Sequence, residues 1–157
     1  MLIPSAEIWD LHTHLSGVSG RTPDERMAKL LEFAERMGIA KQVVFMGLEF
    51  AFEPTPEKFR QENDEVLQAL SHYHDRAFGF VYLNPKFTQE SLDEFDRCVV
   101  NGPMVGIKLW VAEHCNAPSL DPIIARAAEH KALVFQHTWM KITGNLPGES
   151  TPMELAE

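Results

Sequence analysis

Short apolar runs alternate along the chain with longer segments whose apolar residues recur at helical spacing. Five runs rich in β-branched and aromatic residues predict strands at Ile8–Leu11, Val43–Leu48, Phe78–Leu83, Val105–Trp110 and Leu133–Phe135. Runs that are apolar throughout are typical of strands that helices cover. Successive runs begin about 27 to 35 residues apart, which is the length of one strand–helix unit.

The segments between these runs carry helix start and stop signals. In the first segment Thr22 suits the N-cap, Pro23 suits the first helical position and Glu25 can complete a capping box, while Gly38 supplies the stop. Three further helices are predicted: one with Phe59, Asn63, Val66, Leu67 and Leu70 on its apolar face, one from about Gln89 to Val100, and one that starts at Asp121 with Ile123, Ile124, Ala127 and Ala128 inward. A fifth start signal follows at Thr151–Glu154.

This alternation predicts a parallel α/β sheet in a single domain, residues 1–157. Eight such units would close a (β/α)8 barrel of roughly 250 residues, and this chain supplies about five. The fold is therefore either an open doubly wound sheet or an incomplete TIM barrel. A doubly wound sheet favours a Gly-rich phosphate turn after its first strand, and Leu15–Gly20 lacks the G-x-G-x-x-G pattern.

Composition excludes several classes of partner. The chain has 157 residues, 45% of them hydrophobic, and a formal net charge of −9, which argues against nucleic-acid and anionic membrane surfaces. No apolar run is long enough to span a membrane, and Met1–Glu7 lacks the features of a signal peptide. Two cysteines cannot form a disulfide framework, so a cytoplasmic location is expected.

Two histidines follow the first apolar run, within the sequence Asp10-Leu11-His12-Thr13-His14-Leu15. Because a strand alternates its side chains, His12 and His14 point to one side and Thr13 to the other. Two imidazoles on one side of a strand can hold a divalent metal. If the two rings were buried without a metal, their burial would cost free energy, because polar groups would lose their contact with water. The alternative is a pair of surface histidines on an edge strand.

Further chemistry lies at the ends of the fourth and fifth strands, where Lys108 and His137 stand. In a barrel, that end forms the active-site face. A lysine within an apolar strand can form a salt bridge, have a lowered pKa, or be carboxylated and bridge two metals; alternatively, it snorkels to water from an edge strand. Trp110 and Trp139 follow the same strands and are expected either to wall a substrate pocket or to pack as ordinary loop residues.

These motifs resemble the amidohydrolase superfamily of metal-dependent TIM-barrel hydrolases, most closely its amidohydrolase-related branch. The resemblance rests on D-L-H-T-H-L after strand one, Tyr82–Pro85 after strand three, G-I-K-L-W in strand four and F-Q-H in strand five. It implies that His12 and His14 bind the buried metal and that His137 binds the same or a second metal. Lys108 matches a position that is carboxylated in dihydroorotase-like branches, whereas in decarboxylase-like branches it need not touch metal.

The resemblance implies a hydrolase that cleaves a C–N or C–O bond of an amide, lactone or ester with metal-activated water. The cofactor is expected to be one or two divalent ions, zinc or alternatively manganese, and the substrate a small molecule. A decarboxylase of the same superfamily is the alternative. In this superfamily a further histidine follows strand six and the aspartate that acts as general base follows strand eight, so no catalytic base is assigned within residues 1–157.

A second class of hypothesis is a non-catalytic half-barrel that binds metal or a partner chain. Five open strands leave the edges of the first and last strands unpaired, so self-association of the truncated chain is expected. Catalysis instead predicts hydrolysis that is lost with a chelator and in His12→Ala.

Overall fold

The fold was analysed in a computed structural model that describes residues 6–157. The absence of a signal peptide, predicted from Met1–Glu7, falls mostly on residues 1–5, which lie outside the described part. The strands are β1 Trp9–Thr13, β2 Lys41–Val44, β3 Ala77–Tyr82, β4 Gly106–Leu109 and β5 Leu133–Gln136. The helices are α1 Pro23–Met37, α2 Pro56–Leu70, α3 Thr88–Phe95, α4 Asp121–Glu129 and α5 Pro152–Ala156.

The strands form one sheet in the order β1-β2-β3-β4-β5, and every neighbouring pair is parallel. A doubly wound sheet reverses its strand order at a switch point. The strictly sequential order has no such reversal, so the doubly wound alternative is wrong. The sheet curls into a half-barrel, which confirms the incomplete TIM barrel.

Local capping chemistry explains where the helices begin. The Thr22 hydroxyl accepts a hydrogen bond from the Glu25 backbone N–H, while the Glu25 carboxylate accepts from the N–H of Arg21 rather than from that of Thr22. Gly38 ends α1 in the left-handed region at φ 71°. At α5 both halves of the capping box between Thr151 and Glu154 are present. The predicted helix starts are therefore confirmed, but the capping box predicted for Thr22 and Glu25 is not formed.

Two elements end well before their predicted ends, while the other strands differ from their predicted bounds by only one or two residues. The second strand ends at Val44, not at Leu48, because Met46 adopts a left-handed backbone at φ 58° and turns the chain away from the sheet. The third helix is α-helical only to Phe95, and Asp96–Val100 continue as a π-helical turn.

The core lies on both faces of the sheet. The larger cluster joins alternate strand residues, such as Val81 and Ile107, to the inward faces of α1–α4. The intervening strand residues carry a second, aromatic-rich cluster that includes Phe45, Phe80 and Tyr82. Strand alternation places this second cluster on the opposite face, inside the half-barrel.

Within residues 6–157, no helix has the length and apolar character needed to cross a membrane. The outer edges of the sheet are apolar: Leu11 of β1 is 44% exposed and Val134 of β5 is 45% exposed. Ile124, on the predicted inward face of α4, is also exposed.

Candidate functional site

The histidine pair lies at the carboxyl end of β1. The ring centroids of His12 and His14 are 5.0 Å apart, so the two imidazoles share one side of the chain. Thr13 is buried on the other side, where its hydroxyl donates to the Val43 carbonyl at 2.8 Å. This side-chain hydrogen bond supports the strand end that presents the histidines.

Aromatic rings contact both histidines, although the His12 side chain stays exposed to solvent and His14 is half-buried. The Phe45 ring lies 5.2 Å from His12 and 5.0 Å from His14, and Phe135 contacts His12 edge-on at 5.3 Å. Burial, and then the nearby Lys108 ammonium, lower the pKa of His12. Burial lowers the pKa of His14 to about 4, with help from the charges of His12 and Lys108. Both rings are therefore neutral near pH 7, which is the form that binds metal.

Lys108 lies in the middle of β4 and is 2% exposed. Since β4 runs between β3 and β5, the alternative of an edge-strand lysine that reaches water is wrong. Its Nζ lies 4.6 Å from the centroid of Phe135 and 5.0 Å from that of Phe45. Burial lowers its pKa to about 8, and burial is the only cause, which indicates that no carboxylate of residues 6–157 compensates the ammonium.

His137 directly follows β5 and is held by a buried carboxylate. Its backbone N–H donates to the Leu109 carbonyl, and its ring Nε2 lies 3.0 Å from Oε1 of Glu149, which is 3% exposed. Burial opposes ionisation of Glu149, but hydrogen bonds from Lys141, from the Leu146 backbone N–H and from His137 outweigh it and lower its pKa to about 2.

An ionised carboxylate only accepts hydrogen bonds, and burial lowers the pKa of His137 despite the nearby carboxylate. The neutral His137 ring must therefore donate from Nε2, which leaves the lone pair on Nδ1. Glu149 was not identified from the sequence, because it stands in a long loop without periodic signal.

All six residues singled out from the sequence meet at one cavity of about 310 Å³. Its lining comprises His12, His14, Met46, Phe50, Lys108, Trp110, His137, Thr138 and Trp139. The Trp110 ring is perpendicular to the His137 ring, and their centroids are 6.2 Å apart. The centroid of the Trp139 ring lies 5.9 Å from that of His137. Both tryptophans thus wall the cavity.

The histidine pair fits a divalent metal, although a compact set of ligands is not assembled. Nε2 of His14 is buried and has no hydrogen-bond partner among the described residues. A buried polar atom without a partner is rare, and a metal ion would satisfy it. Across residues 6–157, no three side chains of His, Cys, Asp or Glu lie close enough together to hold one ion. The predicted ligands therefore line one cavity without forming a closed coordination shell.

Comparison with known proteins identifies the family. A family model described as amidohydrolase matches residues 9–153, nearly the whole chain. No curated protein matches the sequence significantly.

Solved structures share the fold. A 2,6-dihydroxybenzoate decarboxylase from Rhizobium is 15% identical with a TM-score of 0.67, and the match covers 87% of this chain and 51% of that one. A Staphylococcus aureus protein provisionally described as an amidohydrolase is 15% identical with a TM-score of 0.72, covering 90% and 53%. An Acinetobacter baumannii protein, provisionally described as a 2-pyrone-4,6-dicarboxylic acid hydrolase with citric acid bound, is 14% identical with a TM-score of 0.54, covering 85% and 50%. The chain thus spans about half the length of the structures it matches.

Proposed function

The chain belongs to the amidohydrolase family, and on that premise we propose that it supplies the first half of the site of a metal-dependent hydrolase. The reaction is hydrolysis of a C–N or C–O bond in an amide, lactone or ester. The observation that carries the proposal is the neutral pair His12 and His14, which faces the cavity with one buried ring nitrogen unsatisfied.

Three imidazoles are the proposed protein ligands. His12 and His14 would hold one ion. His137 does not lie close enough to join them around it, so it would bind a second ion through Nδ1, since its Nε2 donates to Glu149. Nitrogen ligands suit zinc better than manganese, which prefers oxygen. When bound, the ion would polarise the scissile carbonyl and make water nucleophilic near neutral pH.

The remaining residues shape the substrate side of the cavity. Trp110 and Trp139 form one wall, and Phe50 contacts both His14 and Trp110 edge-on. We assign no general base within residues 6–157, so the activity is proposed for the closed barrel rather than for this half of it. Two free cysteines, Cys98 and Cys115, fit a reducing cytoplasm, which is the proposed compartment.

Decarboxylation is the second candidate reaction. Lys108 is a buried ammonium that has no carboxylate partner among the described residues; it lines the same cavity and could hold an acid substrate. The Rhizobium neighbour is a decarboxylase of a hydroxylated benzoate. A metal that polarises a carbonyl could also stabilise the negative charge that remains on a substrate when its carboxylate leaves as carbon dioxide, until a proton replaces the carboxylate.

Zinc titration of the metal-free chain, followed by calorimetry, tests the proposal. We expect binding by the wild type and a loss of affinity of at least about tenfold in His12→Ala and in His14→Ala, because two nitrogen ligands share the ion. His74→Ala is the matched control, since His74 is exposed and outside the cavity. Equal affinity in all four proteins would contradict the proposed metal site.

Activity is tested on a panel of lactones, amides and aromatic acids. Turnover that disappears with a chelator and in His12→Ala supports the enzyme. Metal binding without turnover, in an assembly shown to contain a complete barrel, would instead favour the non-catalytic alternative.

A further inference from the structure

Strand β1 contains one residue more than the stretch of β2 that it pairs with. The register first pairs Asp10 with Gln42. It next pairs Thr13 with Val44, so three steps along β1 match two steps along β2. One extra residue on one strand of a pair forms a β-bulge, which changes the direction of the side chains that follow it.

Backbone hydrogen bonds place the extra residue before Thr13. On the amino-terminal side of the bulge, the Lys41 N–H donates to the Ile8 carbonyl. On the carboxyl-terminal side, the Phe45 N–H donates to the Thr13 carbonyl. If the ladder continued regularly from the first of these bonds, Phe45 would donate to the His12 carbonyl instead. The observed ladder is therefore shifted by one residue.

The bulge decides which face of the sheet the histidines occupy. Trp9 lies on the face inside the half-barrel, where its ring stacks on Phe78 at 5.3 Å. His12 lies on the same face, against Phe45. In a regular strand, residues three apart point to opposite faces. Without the extra residue, regular alternation from Trp9 would therefore turn His12 and His14 to the helix-covered face, away from the cavity.

Two side chains replace the ladder bond that the bulge removes. In a regular ladder the His12 N–H would donate to the Val43 carbonyl. Instead, the His12 N–H donates to Oδ1 of Asp10 at 2.9 Å. The Val43 carbonyl accepts from the Thr13 hydroxyl at 2.8 Å. All of these groups belong to β1 and β2, so the contacts that hold the bulge are complete within this chain.

The contact between Asp10 and His12 depends on side-chain length more than on charge. A side-chain oxygen that accepts from the N–H two residues further along the chain forms an Asx turn, which asparagine forms as well as aspartate. A glutamate side chain is one methylene longer and does not close this turn. Substitutions at Asp10 can therefore separate the geometry of the contact from its charge.

We propose that Asp10 is a positioning residue for the histidine pair. Its carboxylate accepts the His12 N–H, holds the bulge, and so keeps the imidazoles of His12 and His14 turned into the cavity. The inference rests on the proposed function, because this pair is the proposed metal site. Asp10 itself is not a metal ligand in this role.

Zinc titration by calorimetry compares the wild type with Asp10→Asn, Asp10→Glu and Asp75→Ala. We expect Asp10→Glu, which keeps the charge, to bind zinc about 10- to 100-fold more weakly, as is typical when a group that orients a metal ligand is lost. Asp10→Asn, which keeps the turn, should stay within about threefold of the wild type. Asp75→Ala controls for the loss of one negative charge, since Asp75 is exposed and precedes β3 at the opposite end of the sheet.

NMR of the metal-free chain tests the positioning role apart from the metal. We expect nuclear Overhauser contacts between the rings of His12 and Phe45 in the wild type and in Asp10→Asn, and their loss in Asp10→Glu. The proposal is overturned if Asp10→Glu keeps these ring contacts, if Asp10→Asn loses them, or if the wild type and Asp10→Glu bind zinc equally well. If the wild type binds no zinc, the proposed metal site is contradicted, and the ring contacts alone decide the role of Asp10.

Discussion

Replacing Lys108 by methionine should stabilise the protein while it damages the site. Methionine keeps the length of the buried stem and removes the ammonium. The wild-type fold has to desolvate this charge, and no carboxylate within residues 6–157 compensates it. We therefore expect Lys108→Met to unfold at a higher urea concentration than the wild type near pH 7.

The magnitude follows from the pKa of Lys108, which burial lowers from 10.5 to about 8. At about 1.36 kcal/mol for each pKa unit, this lowering corresponds to about 3 kcal/mol. The substitution also removes two cation–π contacts, each worth about 0.5 to 1 kcal/mol, which together offset about 1 to 2 kcal/mol of this gain. The expected net stabilisation is about 1 to 2 kcal/mol near pH 7.

The stability advantage of Lys108→Met should decrease as the pH rises, for the following reason. Below about pH 8 the lysine is charged in both folded and unfolded chains, so the fold carries the whole penalty. Between about pH 8 and 10.5 the folded chain releases its proton first, the unfolded chain binds more protons, and wild-type stability rises with pH. Above that window the penalty is gone. The advantage of Lys108→Met should therefore shrink through this window.

Urea unfolding of the wild type, Lys108→Met and Lys86→Met at about pH 7 and about pH 10 measures both effects. Lys86→Met changes an exposed pair and should stay within about 0.5 kcal/mol of the wild type. The reasoning would be refuted if Lys108→Met were no more stable than the wild type near pH 7. An advantage of equal size at both pH values would refute it as well.

Three further outcomes are expected. Asn63→Ala should lower the free energy of unfolding in urea by about 2 to 4 kcal/mol. The buried Asn63 amide donates to the Tyr82 carbonyl at 3.0 Å and accepts from the Tyr82 backbone N–H at 2.8 Å. A loss below about 1 kcal/mol would contradict that role. Glu149→Gln should weaken zinc binding about 10- to 100-fold by calorimetry, since the carboxylate orients His137, and unchanged affinity would argue against this support. In sedimentation at micromolar concentration, the chain should self-associate through its open sheet edges, and Val134→Lys should reduce this association. A wild-type chain that sediments only as a monomer would contradict the expected self-association.

Much of the fold could be predicted because it depends on local patterns. Alternating strand and helix periods, and caps such as Thr22 and Thr151, are encoded within a few residues of each other. The end of β2 could not be predicted, because the run remains apolar beyond it. Its end depends on the left-handed backbone of Met46, which hydrophobicity does not encode.

In the candidate site, too, some contacts could be predicted from local patterns and others could not. His12, Lys108 and His137 could be placed together because the carboxyl ends of parallel strands gather at one face. The position of the Glu149 carboxylate beside His137 could not be predicted, because a loop residue reaches His137 only through tertiary folding. The flanking ring of Phe45 could be assigned to the second apolar run, but not to contact with both histidines.

The most direct test of the metal centre is a crystal structure of the chain grown with zinc, with anomalous diffraction recorded at the zinc edge. A zinc ion held by the histidine pair should give an anomalous peak in the cavity, with ring nitrogens of His12 and His14 at about 2.0 to 2.1 Å. An empty cavity at saturating zinc, or a peak bound only to surface side chains, would contradict it.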